Sequence, residues 1–519
     1  MVRMAHERRA VAHQTPDDSA VATPVRTPTS TSTAASVAVA ATGLALVALY
    51  SIATSRLFLL EFFPGTGSAV GWTDMLGPSR RAPAIAYLQL TLGASLLYAI
   101  VLVLAWRWRD RVPHSLFFAF PVLFAGALVL MYPPNAASDL FHYHADARTA
   151  WIFGHNPFVV PPGDTNYPLL FSWNTQPTPY GPVWTLLTGI FVPLMRPTEH
   201  LLAVLIGFKV LAAASLLGCG WLIYRIVATT FPGWQVFAFV LFAWNPYVLL
   251  RVVGNGHNDL VMMFFVLLAL LAAQRRAWTA LFVLLSVSVL IKFIPAILGP
   301  PFLIYAWTSL EGRPLDRARA LAPGLALGAA LPVLAYAPFW VGMATFDGVL
   351  LQTGLMITST PDVLRSLLSG EVQGTTDANL ARRLTATIVL LVAAASTWHA
   401  RRGFDSLVVA CFHLMFFYLL FASGWFRPWY MLWPATLIAL YPTRAGIALF
   451  LAITVSNLFP DLVEHYRYDW GFEPFEALIA PVIVQFAVPA AVWVLAVLGT
   501  GSLVLGAEHR EGRADEDRP

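Results

Sequence analysis

Residues 115–148 read SLFFAFPVLFAGALVLMYPPNAASDLFHYHADAR. The first part, to Tyr132, carries no charge and is close to the length that crosses a bilayer as a helix. Pro133 and Pro134 then stop it. Directly beyond stand Asp139, His142, Tyr143, His144, Asp146 and Arg148. An apolar segment that ends in a cluster of ionisable groups reads as a membrane helix delivering a polar loop. Charged groups at such a boundary cost energy unless they are paired or used.

The same alternation recurs outward in both directions. The 519 residues are 58% hydrophobic and 12% charged, with mean hydropathy +0.67, about half the charged share of soluble domains. Apolar runs recur from residue 35 to residue 504. The fold class that follows is all-α, a polytopic integral membrane helix bundle of about 14 spans with catalytic loops on the extracytoplasmic face. Residues 1–34 and 505–519 are polar and read as cytoplasmic tails without fixed structure, flanking a transmembrane domain over 35–504.

Orientation comes from the basic clusters. Arg107 to Arg111, Arg275-Arg276, Arg313 to Arg319, Arg401-Arg402 and Arg444 lie between apolar runs, which puts them in the cytoplasm. They are topology signals, so the net charge of +4 does not point to nucleic acid. On this path 133–182 and 340–379 are the long outer loops, 183–195 is a short, partly embedded helix, and 429–441 is a span. Arg251 to Asp259 and Lys292 fall at outer turns. Cys219 and Cys411 lie within apolar helices and give no disulfide framework.

The polar clusters that are not topology markers therefore share one face. Asp139 leads the first. A helical turn places Asp139, His142 and Tyr143 on one side, with Asp146 one turn on, and a carboxylate there can take a proton from an attacking hydroxyl. The alternative is a helix cap by Ser138 or Asp139. The second cluster is Asn255-Gly256-His257-Asn258-Asp259. It can bind a phosphate or a sugar; a cap by Asn258 or Asp259 would use only one of these side chains. The third is Ser423 to Tyr430. Its Trp429 and Tyr430 suit an interfacial aromatic belt, but Arg427 runs against the positive-inside bias and matches a phosphate. Lys292 offers a second cation, or simply snorkels. Asn174 to Trp184 is a Pro- and Gly-rich turn whose Tyr180 offers a face for sugar stacking.

No Walker loop, Rossmann glycine pattern, zinc spacing or serine elbow occurs. Nothing calls for a metal or another cofactor. An enzyme at the outer face has no nucleotide sugar to hand and must draw its sugar from a lipid carrier. A transporter or flippase of lipid-linked sugars also needs many spans, but would place polar residues near mid-span with signals on both faces. A scaffold subunit would leave all these clusters dispensable.

The order of motifs carries a resemblance. It runs Asp139-Leu140-Phe141-His142-Tyr143, Gly154-His155-Asn156-Pro157-Phe158, Pro179-Tyr180-Gly181-Pro182-Val183-Trp184, Gly256-His257-Asn258-Asp259-Leu260, then Phe426-Arg427-Pro428-Trp429-Tyr430-Met431-Leu432-Trp433. This series resembles the polyprenol-phosphate-mannose-dependent mannosyltransferases of the GT-C superfamily, the group that builds α-1,6-mannan backbones of actinobacterial lipoglycans. It covers roughly residues 115–440; the two spans before residue 115 and the loop 55–86 read as additions. The resemblance implies an inverting hexosyl transfer, most simply of mannose, from a polyprenyl-phosphate sugar to a glycan or glycolipid acceptor outside the cell membrane. It implies that Asp139 is the base, that Tyr143 and Tyr180 line the pocket, and that His257, Asn258, Asp259 and Arg427 face the donor.

Overall fold

The computed structural model describes residues 30–56, 59, 81–131, 139–165, 175–196, 201–372, 376–458 and 471–500. Both expected tails lie largely outside these residues, as do parts of the loops after residues 131 and 165. The described residues are helical, with two isolated bridges and no strand.

The chain opens with α1 (Ser30–Arg56), α2 (Arg81–Trp108) and α3 (His114–Leu128). Helix α1 starts inside the segment expected to be a tail. The Ser32 hydroxyl donates to the Arg111 carbonyl at 2.7 Å, so a contact 79 residues away holds its start. The polar helix α4 (Asp139–Trp151) follows, then the short α5 (Pro182–Thr188) and helical turns to Met195. That stretch agrees with the short helix expected over 183–195. Helix α6 (Leu201–Thr230) is long and apolar, and α7 (Gln235–Ala243) and α8 (Pro246–Leu249) come after it.

The middle of the chain contains α9 (Asp259–Gln274), α10 (Trp278–Val289), α11 (Gly299–Thr308) and α12 (Pro314–Tyr336). The second long loop is not extended chain: it holds α13 (Asp347–Gly354) and α14 (Thr360–Ser369). The remaining α-helices among the described residues are α15 (Ala378–Ala400), α16 (Phe404–Phe417), α17 (Leu432–Ile438), α18 (Arg444–Leu458) and α19 (Pro474–Thr500).

Among the described residues seven helices are long and apolar enough to cross a membrane: α1, α2, α6, α12, α15, α16 with the turn after it, and α19. The pair α7–α8, bent by 50°, makes an eighth if counted as one span. Other expected spans are shorter apolar helices, such as α9 and α10. The segment expected as a span over 429–441 is a 3-10 turn, Pro428–Met431, followed by the seven-residue α17. Pro428 and Pro434 lack the backbone N–H that a continuous helix would use there.

Two broken helices position the site. At the end of α7, Pro246 cannot continue the hydrogen-bond ladder, and Asn245 caps the new start by accepting from the N–H groups of Tyr247 (2.9 Å) and Val248 (3.2 Å). Its amide donates to Thr454 Oγ1 at 2.9 Å, so a fully buried carboxamide is satisfied on both ends. A π-helical turn, Leu250–Gly254, then widens the helix just before Asn255. A second π turn, Tyr418–Ala422, ends α16 just before Ser423. Such turns break the regular ladder and are frequent near functional sites. Here they release the two polar motifs toward each other, and the Tyr247 hydroxyl ties them by donating to the Pro428 carbonyl at 2.7 Å.

Candidate active site

Asp139 is the first residue of α4, and its side chain is one-fifth exposed. Its Oδ2 lies 3.4 Å from Nδ1 of His257, which is fully buried. The His257 ring stacks on Trp429, with centroids 4.1 Å apart and planes 21° apart. One residue from each of three distant motifs thus forms a single contact series. Gly256 makes it sterically feasible: its φ is +81°, and a Cβ there would sit 2.9 Å from Leu140 Cδ1.

A cavity of about 290 Å³ opens in front of Asp139. Its walls include Asp139, His142, Tyr180, Lys292, Trp429 and Tyr430. Lys292 donates to Asp259 Oδ1 at 2.8 Å and lies over the rings of Tyr180 (5.6 Å) and Tyr430 (5.7 Å). Asp259 Oδ1 also accepts from the Trp433 indole at 2.7 Å. A fully buried carboxylate therefore fixes one cation and one aromatic on the cavity wall.

Tyr180 reaches Lys292 because two turns dock backbone to backbone. Gly181 N donates to the Ile291 carbonyl and Val183 N to the Leu290 carbonyl, both at 3.0 Å. A Cβ at Gly181 would lie 2.1 Å from the Leu290 carbonyl oxygen. Gly181→Ala is expected to push the turns apart, lower stability by about 1–3 kcal/mol and withdraw Tyr180 from Lys292. Thermal unfolding in detergent checks this against Gly354→Ala, where nothing stands within 4 Å. Equal melting of the two variants would contradict the docking account.

The electrostatics favour an ionised Asp139. Burial works to raise its pKa. The contact and charge of His257, with Lys292 and His142 beyond, outweigh burial and hold it below the ordinary 3.8. His142 moves the other way. Burial works to lower its pKa, but Asp146, whose Oδ1 is 3.4 Å from His142 Nε2, and then Asp139 raise it above 6.5. Its charged form thus persists to higher pH than that of a free imidazole, and Asp146→Asn is expected to lower its titration midpoint. Histidine NMR titration of the purified protein reads that shift directly; an unmoved midpoint would remove Asp146 as its cause.

The structure separates all the expected site residues except Arg427 into two groups. Asp139, His142, Tyr180, Lys292, Trp429 and Tyr430 meet at the cavity. His257, Asn258, Asp259, Tyr143 and Asp146 are buried behind its wall. Tyr143 packs edge-on against Tyr180, and its hydroxyl accepts from the Asn258 N–H at 3.2 Å. Arg427 is half-buried over the Trp425 ring at 5.4 Å and is not part of the cavity lining. The lining residues that went unassigned at the sequence level include Trp433 and Gln352. Trp433 follows Trp429 by one turn, a spacing that could have marked it. Gln352 comes from α13 in the second loop, where no local pattern singles it out. Among the described residues no three His, Cys, Asp or Glu side chains converge to hold a metal ion.

A family model for the N-terminal domain of alpha-(1->6)-mannopyranosyltransferases matches residues 37–309. The match starts within α1, so the spans before residue 115 belong to the shared region and are not additions. Alpha-(1->6)-mannopyranosyltransferase A of Corynebacterium glutamicum is 26% identical over 156 residues, covering 29% of this chain and 31% of that protein. The protein of the same name from Mycobacterium tuberculosis is 23% identical over 374 residues, 66% of this chain and 69% of that one. No solved structure matches. The family model covers more than half of the sequence, including Asp139, the Tyr180-Gly181-Pro182 turn, Gly256 to Asp259 and Lys292, and on that footing the chain belongs to the alpha-(1->6)-mannopyranosyltransferase family.

Proposed function

We propose that this protein transfers a mannosyl group from a polyprenyl-phosphate sugar to a hydroxyl of a glycan or glycolipid acceptor, at the extracytoplasmic face of the cell membrane and with inversion at the anomeric carbon. The observation that carries the reading is the pairing of a carboxylate held ionised, Asp139, with a fixed cation, Lys292, on the walls of one cavity. Family membership and the named activity of the relatives support the mannosyl group.

The chemistry assigns each wall a task. The acceptor oxygen forms a bond to the anomeric carbon as Asp139 removes its proton. The bond from that carbon to the phosphate oxygen breaks, and its electron pair leaves with polyprenyl phosphate. Negative charge grows on that phosphate, and a cation fixed before the reaction stabilises it without reorganisation. We assign this contact to Lys292, which lines the cavity. Tyr180, Trp429 and Tyr430 offer ring faces to the sugar. His257 and Asp259 act from behind, through Asp139 and Lys292.

The test is transfer by membranes carrying the protein, supplied with radiolabelled polyprenyl-phosphate mannose and no nucleotide sugar. Labelled mannoside with inverted anomeric configuration is the expected product. Transfer from a nucleotide sugar alone would overturn the donor assignment, and a retained configuration would overturn single displacement.

A further inference from the structure

In the loop between α12 and α15, helix α14 carries its polarity inside out. In α14 the charged residues face the protein: Asp362 is 6% exposed and Arg365 is 2% exposed, while Leu367 and Leu368 are 63% and 42% exposed. The two buried charges are paired. Arg365 Nη2 donates to Asp362 Oδ1 at 2.9 Å and to the Val372 carbonyl at 2.7 Å. Ser359 accepts from the Asp362 N–H and donates to the Gly424 carbonyl at 2.7 Å, which ties the start of α14 to the wall of the cavity.

Helix α13 shares the outward leucines, although its one charged residue, Asp347, is exposed. Gly348, Val349 and Gln352 line the cavity, while Leu350 and Leu351 point outward and are exposed. The turn before it exposes Trp340, Val341 and Met343. A helix on a water-facing surface shows the opposite order, with leucines inward and charges outward. Leucines displayed outward with charges hidden is the order that a hydrocarbon environment selects. Trp340 has the residue type favoured where acyl chains meet headgroups.

We propose that residues 340–369 are seated in the bilayer leaflet on the cavity's side, with Leu350, Leu351, Leu367 and Leu368 against lipid. The apolar surface does not stop at the loop. It continues into exposed Val333 and Leu334 at the end of α12 and exposed Leu380 and Leu384 at the start of α15, two helices of membrane-crossing length. Chain that leaves and re-enters hydrocarbon through apolar faces has no reason to rise into water between them. Helix α13, which lines the cavity, then also meets the lipid. This placement goes beyond the reaction and holds whatever the donor is.

The experiment is site-directed spin labelling of the full chain in liposomes of phosphatidylcholine and phosphatidylglycerol. Cys219 and Cys411 are buried, and a mock-labelled wild type measures their background. Single cysteines replace Leu350, Leu351, Leu367 and Leu368, with Leu96 on α2 as the lipid reference and Glu311 as the water reference. Monodisperse elution in detergent selects folded variants. Relaxation by oxygen, which partitions into lipid, is compared with relaxation by a water-soluble nickel chelate. The expected ratio at the four loop positions matches Leu96 and exceeds Glu311 severalfold. A ratio equal to that of Glu311 would place the loop in water and overturn the proposal. Low relaxation by both agents would mean protein covers the patch, a second copy included, and would overturn it equally.

Discussion

Asp139→Asn is expected to reduce mannosyl transfer by about 10²–10⁴-fold while leaving the protein folded. The substitution keeps size and shape and removes only the ability to take a proton. Its neighbours tolerate the change, because the side chain is partly exposed and its contact to His257 is long, at 3.4 Å. Asp146→Asn is the matched control: the same chemical change about two turns along α4, on a carboxylate buried behind His142. Transfer measured with both variants at equal protein and equal melting temperature decides the point. If Asp139→Asn retained wild-type transfer, Asp139 would not be the base.

The acid limb of the pH–rate profile gives a second readout of the same assignment. Asp139 has its folded pKa depressed, so it is ionised at all pH values above that depressed pKa. The stability gained from its partners is present above the unfolded value and lost as pH falls through the folded one. His257 supplies the main opposition to burial. In His257→Asn burial acts with less opposition, and the acid limb is expected to move to higher pH. An unmoved limb, with activity lost uniformly at every pH, would make His257 a structural residue only.

Lys292→Met is the other large expected effect, and it acts on stability and activity together. Removing the ammonium leaves Asp259 buried without its charge partner, which costs about 3–5 kcal/mol. It also removes the cation from the cavity wall, expected to lower transfer by roughly 10²–10³-fold. The two consequences can be separated. In Lys292→Met with Asp259→Leu no uncompensated carboxylate remains, so much of the lost stability is expected to return. Transfer is expected to stay low, because in the proposed reaction the leaving phosphate still meets no fixed charge. Melting temperature and initial rate of the single and double variants check both halves. Recovery of transfer in the double variant would show that Lys292 serves only to neutralise Asp259.

Much of this protein is written locally. Apolar runs at bilayer length determined the helices, because a backbone in hydrocarbon has no other way to satisfy its polar groups apart from a closed barrel. The four polar clusters were visible for the same reason: charge beside lipid is costly, so Asp139, Asp259, Lys292 and Arg427 stood out against their surroundings. Helix length was less legible. A stretch such as 429–441 has the hydropathy of a span, yet Pro428 and Pro434 break it, and α17 is short. The apolar character of a segment states what solvent it prefers, not how far its ladder runs.

Assignment of roles within the clusters depended on tertiary structure. Asp259 and Lys292 are both polar side chains at helix boundaries, and sequence places them alike. In the fold one is fully buried and the other reaches the cavity, because α9 and the turn after α10 pack with the carboxylate inward. Arg427 stood out as a candidate phosphate ligand; in the fold its guanidinium lies over Trp425, outside the lining of this cavity, whose wall carries Trp429 and Tyr430. Sequence alone determined an all-helical membrane protein with acids and cations gathered at a few boundaries, since the cost of burying charge is set by each residue and its immediate solvent. Which of those charges face one another was decided by helices meeting from opposite ends of the chain, since burial and pairing depend on neighbours that no local pattern names.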